Sequence, residues 1–159
     1  MDVVDAVYAR KSIRRFRADP VADELLSSLL LDASRAPSGG NVQPWRIYVV
    51  NGASMTRMRR HLAEQPPFDE PEYEIYPPSL FEPYRTNRFR VGEAMYATVG
   101  IAREDKERRL QQFAHNNDFF DAPAALFCYI DRRMGPPQWS DCGMFLQTFM
   151  LLAVERGLG

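Results

Sequence analysis

The stretch PQWSDCGMFLQTFMLLAVERG, residues 137 to 157, constrains this chain more than any other. Read at helical period, Met144, Phe145, Leu146, Phe149, Met150, Leu151, Leu152 and Val154 go nearly all the way round the axis. A helix apolar on every side has to be covered on every side. Only two clear strands precede it, RIYVV at 46–50 and AALFCYID at 124–131. Two strands alone make a marginal sheet. The cover must therefore come from a second subunit, from further chain, or from both. The run closes on ERGLG, a helix-ending signal.

The rest of the pattern is that of one globular domain. With 159 residues and 45% apolar content, the chain can bury a core of its own. DVVDAVYAR predicts a short helix with Val3, Val4, Val7 and Tyr8 on one face and Asp2 as its cap. VADELLSSLLLDASRA predicts a second, with Leu25, Leu26, Leu29, Leu30 and Ala33 in one stripe. A third is expected over ASMTRMRRHLAE. A charged one is expected over REDKERRLQQFA, where Glu104–Arg108 and Asp105–Arg109 sit four apart. AALFCYID reads as a buried strand. Between Gln65 and Tyr84 the chain is too rich in Pro for a long helix or a central strand, so it is read as a long loop. Its aromatics Phe68, Tyr73, Tyr76, Phe81 and Tyr84 can wall a binding site or pack beneath the loop.

Composition closes off several classes. The net charge of −1 argues against a body-wide nucleic-acid or acidic-membrane binder. There is no run of 18 apolar residues and no signal-peptide architecture at the N-terminus, which gives a cytoplasmic expectation. Cys128 and Cys142 make no disulfide framework, and with His61 and His115 they show no zinc spacing, so no metal is expected. No P-loop or strand-attached GxGxxG occurs.

Two segments carry the chemistry. In RKSIRRFR, read as extended, alternate side chains share a face, so Arg10, Ser12 and Arg14 point together. Two guanidiniums flanking a hydroxyl suit a phosphate monoester. The same run can also be a solvated basic strand or a nucleic-acid patch. In APSGGNVQPWRIYVV, Gly39 and Gly40 let backbone come close to a flat ring, and Asn41 and Gln43 each offer amide donors and an acceptor that match a pyrimidine-like edge. A capped helix end explains Pro37 and the glycines. It does not explain Asn, Gln and Trp45 following them.

Together, RKSIRRF and APSGGNVQPWRIYVV resemble the FMN-dependent nitroreductase family, and FFDAPAALFCYIDR and WSDCGMFLQTFMLLAVERGLG are similar to its later strand and central helix. The resemblance implies an α+β, nitroreductase-like fold with a central sheet flanked by helices, in an interlocked homodimer with two FMN sites at the interface. Residues 1–159 would be a single such domain, lacking a C-terminal portion that in the family adds further flavin contacts. Arg10, Lys11, Ser12 and Arg14 would hold the phosphate and pyrimidine side of FMN. Pro37, Ser38, Gly39 and Asn41 would approach the same flavin from the other subunit. Gln43 counts with the cofactor-binding set, although it and Trp45 would serve more the structure of the loop. Phe68, Tyr76, Phe81 and Tyr84 would line the acceptor side. Arg85, Arg88 and Arg90 can meet an acidic substrate or a nicotinamide phosphate, but are read first as helix-surface charge.

The implied activity is passage of electrons from NAD(P)H through FMN to a nitroaromatic or quinone-like acceptor, with no catalytic side chain because the chemistry resides on the flavin. The alternatives are a flavin-binding module without turnover, another reductive task such as dehalogenation or flavin fragmentation, and a nucleic-acid binder through RKSIRRFR.

Overall fold

Leu26, Leu29 and Ala33 are buried on the helix predicted from their spacing, and they anchor the first of two units into which the chain gathers. The computed structural model describes residues 1–65 and 74–159. One unit comprises Met1–Arg60 and Phe119–Gly159; the other comprises His61–Asp118.

The first unit holds helices α1 (Val3–Ala9), α2 (Asp23–Ala33) and α6 (Pro136–Glu155), strands β1 (Arg46–Asn51) and β2 (Ala124–Tyr129), and the start of α3 (Gly52–Glu64). Asp2 caps α1 as expected, its Oδ1 accepting from Asp5 N at 2.8 Å. The strands pair antiparallel, with Arg46 opposite Tyr129 and Asn51 opposite Ala124. AALFCYID is not buried as the sequence suggests: most of it is half-buried and Phe127 and Tyr129 are exposed, because it is one strand of a two-stranded ribbon. Asn51 at the end of β1 donates from Nδ2 to Val21 O (2.6 Å) and Asp23 Oδ1 (2.9 Å), tying the strand to the start of α2.

The core lies where α2 crosses α6. Phe145 is 1% exposed and meets Ala33 and Ala36, with Leu30, Trp45, Ile47, Leu146, Phe149 and Leu152 around them. Trp45 stacks on Phe145 with ring centroids 5.2 Å apart. α6 starts at two prolines, whose missing N–H groups cost nothing in a first turn. It ends as ERGLG predicts: Gly157 takes φ +76°, its N donates to Val154 O and Leu158 N donates to Ala153 O. Met144, Met150 and Trp139 stay exposed on its other sides. The apolar face of α1 is also open, with Val3 75% and Tyr8 83% exposed while Ala6 turns inward.

The second unit holds α4 (Tyr84–Thr98) and α5 (Lys106–Ala114). Periodicity does not reveal α4, since Phe89, Val91, Met95 and Tyr96 form no stripe. The ion pairs expected in REDKERRLQQFA are not those formed. α5 begins only at Lys106, so Asp105 becomes its cap and accepts from Arg108 N at 3.1 Å. Arg109 instead grips Glu93 of α4 through two bonds of 2.7 and 3.2 Å, and its guanidinium lies over Tyr96. Glu93 is held below its usual range by the Arg109 hydrogen bonds.

Because Phe145 fills the crossing of α2 and α6, Phe145→Ala is expected to destabilise the fold by about 3–5 kcal/mol, as deletion of a buried ring does. Equilibrium denaturation measures it. A loss below about 1 kcal/mol would show that the crossing is not where stability resides.

Candidate functional site

Asp2 fixes where α1 begins, and α1 gives way at Arg10, whose backbone turns extended (φ −60°, ψ 129°). Among the described residues the basic segment has no ladder partner and does not run as a strand. It is fastened at two points. Phe16 N donates to Phe120 O at 3.0 Å. Ile13 and Phe16 lie directly against Gly159, where an added Cβ would stand 3.0 and 3.3 Å from them. Arg14 Nη1 reaches back to Ser12 O at 3.4 Å, which keeps those two residues together. Among the described residues, no carboxylate pairs with Arg10, Lys11, Arg14 or Arg15, whereas Arg17 is paired with Asp19. Four cations in six residues without counter-charge suit an anionic group.

The second segment is a short 3-10 turn, Gly39–Asn41, between α2 and β1. Gly40 (φ +58°), Asn41 (φ +55°) and Gln43 (φ +49°) are all left-handed. Gly tolerates this and Asn nearly so; for Gln it costs on the order of 1–3 kcal/mol and needs fixing from outside. The fixing is visible. Ser38 Oγ accepts from Gln43 N (2.9 Å), and Gln43 Nε2 donates to Asn41 Oδ1 (3.0 Å). Gln43 thus commits its N and Nε2 to the turn. Asn41 Nδ2 has no partner among the described residues and remains able to donate outward.

α6 relates the two segments. Gly39 N donates to Asp141 Oδ1 (3.3 Å) near the start of that helix. The N-terminal amine pairs with Glu155 at the other end, close to Ile13 and Phe16 on Gly159. At 1.5 Å per residue, Asp141 and Glu155 stand on the order of 20 Å apart along the axis. Within one chain the basic segment and the polar turn therefore belong to opposite ends of α6. A cavity of about 320 Å³ beside the C-terminal end is walled mainly by apolar side chains, among them Leu26, Leu30, Val49, Leu126 and Phe149, with Arg17 and its partner Asp19 also in the lining.

Asp141 is the site residue that sequence reading missed. It lies one helical turn before Phe145 on the same face, and a carboxylate standing ahead of the apolar run, apart from Glu155 at the helix end, was the available signal. In the second unit, Phe81 and Tyr84 meet edge to face at 5.1 Å, and Arg88 lies over Tyr76 at 4.2 Å. Arg85 pairs with Glu82 at 2.8 Å. Phe68 and Tyr73 fall outside the described residues. No group of His, Cys, Asp and Glu among the described residues could hold a metal ion, and no helix there is long and apolar enough to cross a membrane.

The model of the nitroreductase family matches residues 7–159. The chain belongs to that family. Over 162 residues it is 38% identical to a nitrobenzene nitroreductase of Ectopseudomonas oleovorans, covering 97% of this chain and 70% of that one. A 4-nitrobenzoate reductase of Pseudomonas putida is 36% identical over 99% of this chain and 70% of its own. Among solved structures, the FMN and NADPH-dependent nitroreductase NfnB of Sphigopyxis sp. strain HMH superposes with a TM-score of 0.91 at 44% identity, over 99% of this chain and 72% of that one. The α+β architecture is that of the nitroreductase fold.

Both cysteines are thiols. Burial pushes Cys128 up to about 11, and the adjacent Cys142 adds to the shift. Cys128 is therefore protonated at neutral pH and no nucleophile. At pH 8 its alkylation by iodoacetamide should run roughly a hundredfold slower in the folded than in the unfolded chain, climbing only as pH nears 11. Because the folded value is raised, the stability it contributes is complete below about pH 9 and is lost as pH rises toward 11. Equal alkylation rates at pH 8, read by mass spectrometry, would contradict this.

Proposed function

We infer that the protein is an FMN-dependent oxidoreductase that takes electrons from NAD(P)H and reduces nitroaromatic acceptors. The observation that carries the reading is a cluster of cations without counter-charge and a fastened, outward-donating turn in a chain of this family. Its relatives are named for nitrobenzene and 4-nitrobenzoate, and its structural neighbours for FMN and NADPH.

The residues fit the cofactor. Arg10, Lys11 and Arg14 are free to neutralise a phosphate, with the Ser12 hydroxyl between the arginines. Asn41 Nδ2 can donate to a ring carbonyl. Gly39 and Gly40, with no side chain, let a planar ring approach the backbone, and Pro37 and Ser38 lead the chain into that turn. Gln43 acts by holding Asn41. FMN, when bound, supplies the two-electron chemistry itself, so no nucleophile or acid–base pair is required of the protein.

We further propose a homodimer in which the basic segment of one chain and the turn of its partner serve one flavin. The opposite-end placement on α6 supports this, as do the open apolar faces of α1 and α6. Such faces are characteristic of obligate interfaces. Tyr76, Phe81 and Tyr84 would form the acceptor's aromatic wall, with quinones as a second acceptor class. Residues 1–159 are read as one nitroreductase-like domain. The setting is the cytoplasm, where reduced nicotinamide is present and paired thiols stay reduced.

The test is direct. The purified protein should carry or take up one FMN per subunit and oxidise NADPH or NADH with nitrobenzene or 4-nitrobenzoate. A folded protein that binds no flavin when FMN is added would overturn the reading. The double variant Arg10→Ala/Arg14→Ala should weaken FMN binding by about tenfold or more per arginine, since each charge-assisted bond contributes about 1.5–3 kcal/mol. Riboflavin, which lacks the phosphate, should bind wild type and variant alike. Unchanged FMN affinity in the folded variant would remove the phosphate assignment.

A further inference from the structure

Asp141 is 5% exposed, and the other buried residues of its helix, Phe145 and Ala153, are apolar. Its Oδ1 accepts from Gly39 N at 3.3 Å, a contact across 102 positions of sequence. Its Oδ2 is buried with no partner among the described residues. A buried carboxylate with one oxygen unpaired is unfavourable for stability, and an apolar side chain would serve the core better. Packing therefore does not account for the residue. What it touches does: the Gly39 N–H, which makes the one long-range polar contact of the Ser38–Gln43 turn among the described residues.

That turn needs an external hold. Gly40, Asn41 and Gln43 are all left-handed, two of them without glycine's freedom. The bonds from Gln43 N to Ser38 Oγ and from Gln43 Nε2 to Asn41 Oδ1 are internal to the turn. They fix its shape and leave open where it sits. Placement comes from one face of α6. Phe145 takes Trp45 just after the turn and Ala36 just before it, and Asp141, four residues earlier on that face, takes Gly39 in the middle. The two apolar contacts hold the ends. The carboxylate holds the centre, two residues from the outward-donating Asn41.

We propose that Asp141 is a positioning residue: it fixes the Gly39–Asn41 turn on α6 so that the Asn41 amide is aimed before any ligand arrives. It does so as an acceptor, so Asn in its place retains the bond and Ala loses it. The effect on the turn stands on this contact alone; the effect on flavin affinity rests on the function proposed above.

The test uses the full chain, apo and with FMN, as wild type, Asp141→Asn and Asp141→Ala. In apo Asp141→Ala, amide hydrogen exchange at residues 39–43 should accelerate about tenfold, the scale of one lost hydrogen bond to a charged group, while the amides of α2 and β1 keep wild-type rates. FMN affinity should fall by a similar factor, with the thermal midpoint little changed. Asp141→Asn should restore both turn protection and affinity. Loss of stability without a local change in exchange would mean a merely structural carboxylate and overturn the proposal. So would wild-type affinity and exchange in Asp141→Ala, or an Asn variant as impaired as the Ala variant. If the Ala variant does not fold, the wild type decides: the Gly39 amide must be protected in the apo protein, and a freely exchanging one contradicts the proposal. If no form binds FMN, the flavin reading fails while the exchange data still settle the role of Asp141.

Discussion

Phe145, closed between Ala33 and Ala36 of the α2 end and the ring of Trp45, is the contact on which the rest of the first unit depends. It sets α2 across α6 and brings β1 in through Trp45 and Ile47. It also brackets the turn between them, since Ala36 and Trp45 stand on either side of that turn. A close-packed crossing of this kind admits few alternatives. The polar turn, with its left-handed residues, is affordable only because both of its ends are already placed. The order of causation runs from an apolar helix face to a fixed loop, and from the fixed loop to a binding edge.

The same helix also separates. It carries the polar turn at one end, and the basic segment is fastened just beyond the other, where Ile13 and Phe16 lie on Gly159. Its remaining sides, with Met144 and Met150, and the outer face of α1, with Val3, Val4 and Tyr8, stay open. Surfaces of this kind are unfavourable in water and favour association. In the proposed homodimer, association would do two things at once: cover apolar surface, and bring one chain's cations to the partner's turn.

Much of this was legible in residue spacing. The Leu26–Leu29–Ala33 stripe announces α2 because a surface helix buries one face. The apolar residues that go nearly all the way round the axis announce α6, and the Gly157 signal its end. The cations of RKSIRR were legible as a cluster because nothing acidic lies among them. Less visible were features set by tertiary contacts. α4 hides because its apolar residues have no common face. Arg109 reaches Glu93 on another helix, which no local spacing encodes. Gln43 carries an amide that can face a ring edge, yet the resemblance already assigns it more to the structure of the loop, and in the fold its N and Nε2 bond within the turn. Asp141 escaped notice since its partner, Gly39, is a backbone N–H far away in sequence.

The central claim, that the basic segment and the polar turn of different chains make one site, is tested most directly by flavin stoichiometry in mixed dimers. Subunits carrying Arg10→Ala are combined with subunits carrying Asn41→Leu, and heterodimers are isolated by orthogonal tags. If the site is shared between chains, one site of each heterodimer carries both lesions and the other carries neither. One FMN per heterodimer should then bind with wild-type affinity. If every heterodimer binds FMN as weakly as the two parent variants, both segments act within one chain and the account is contradicted.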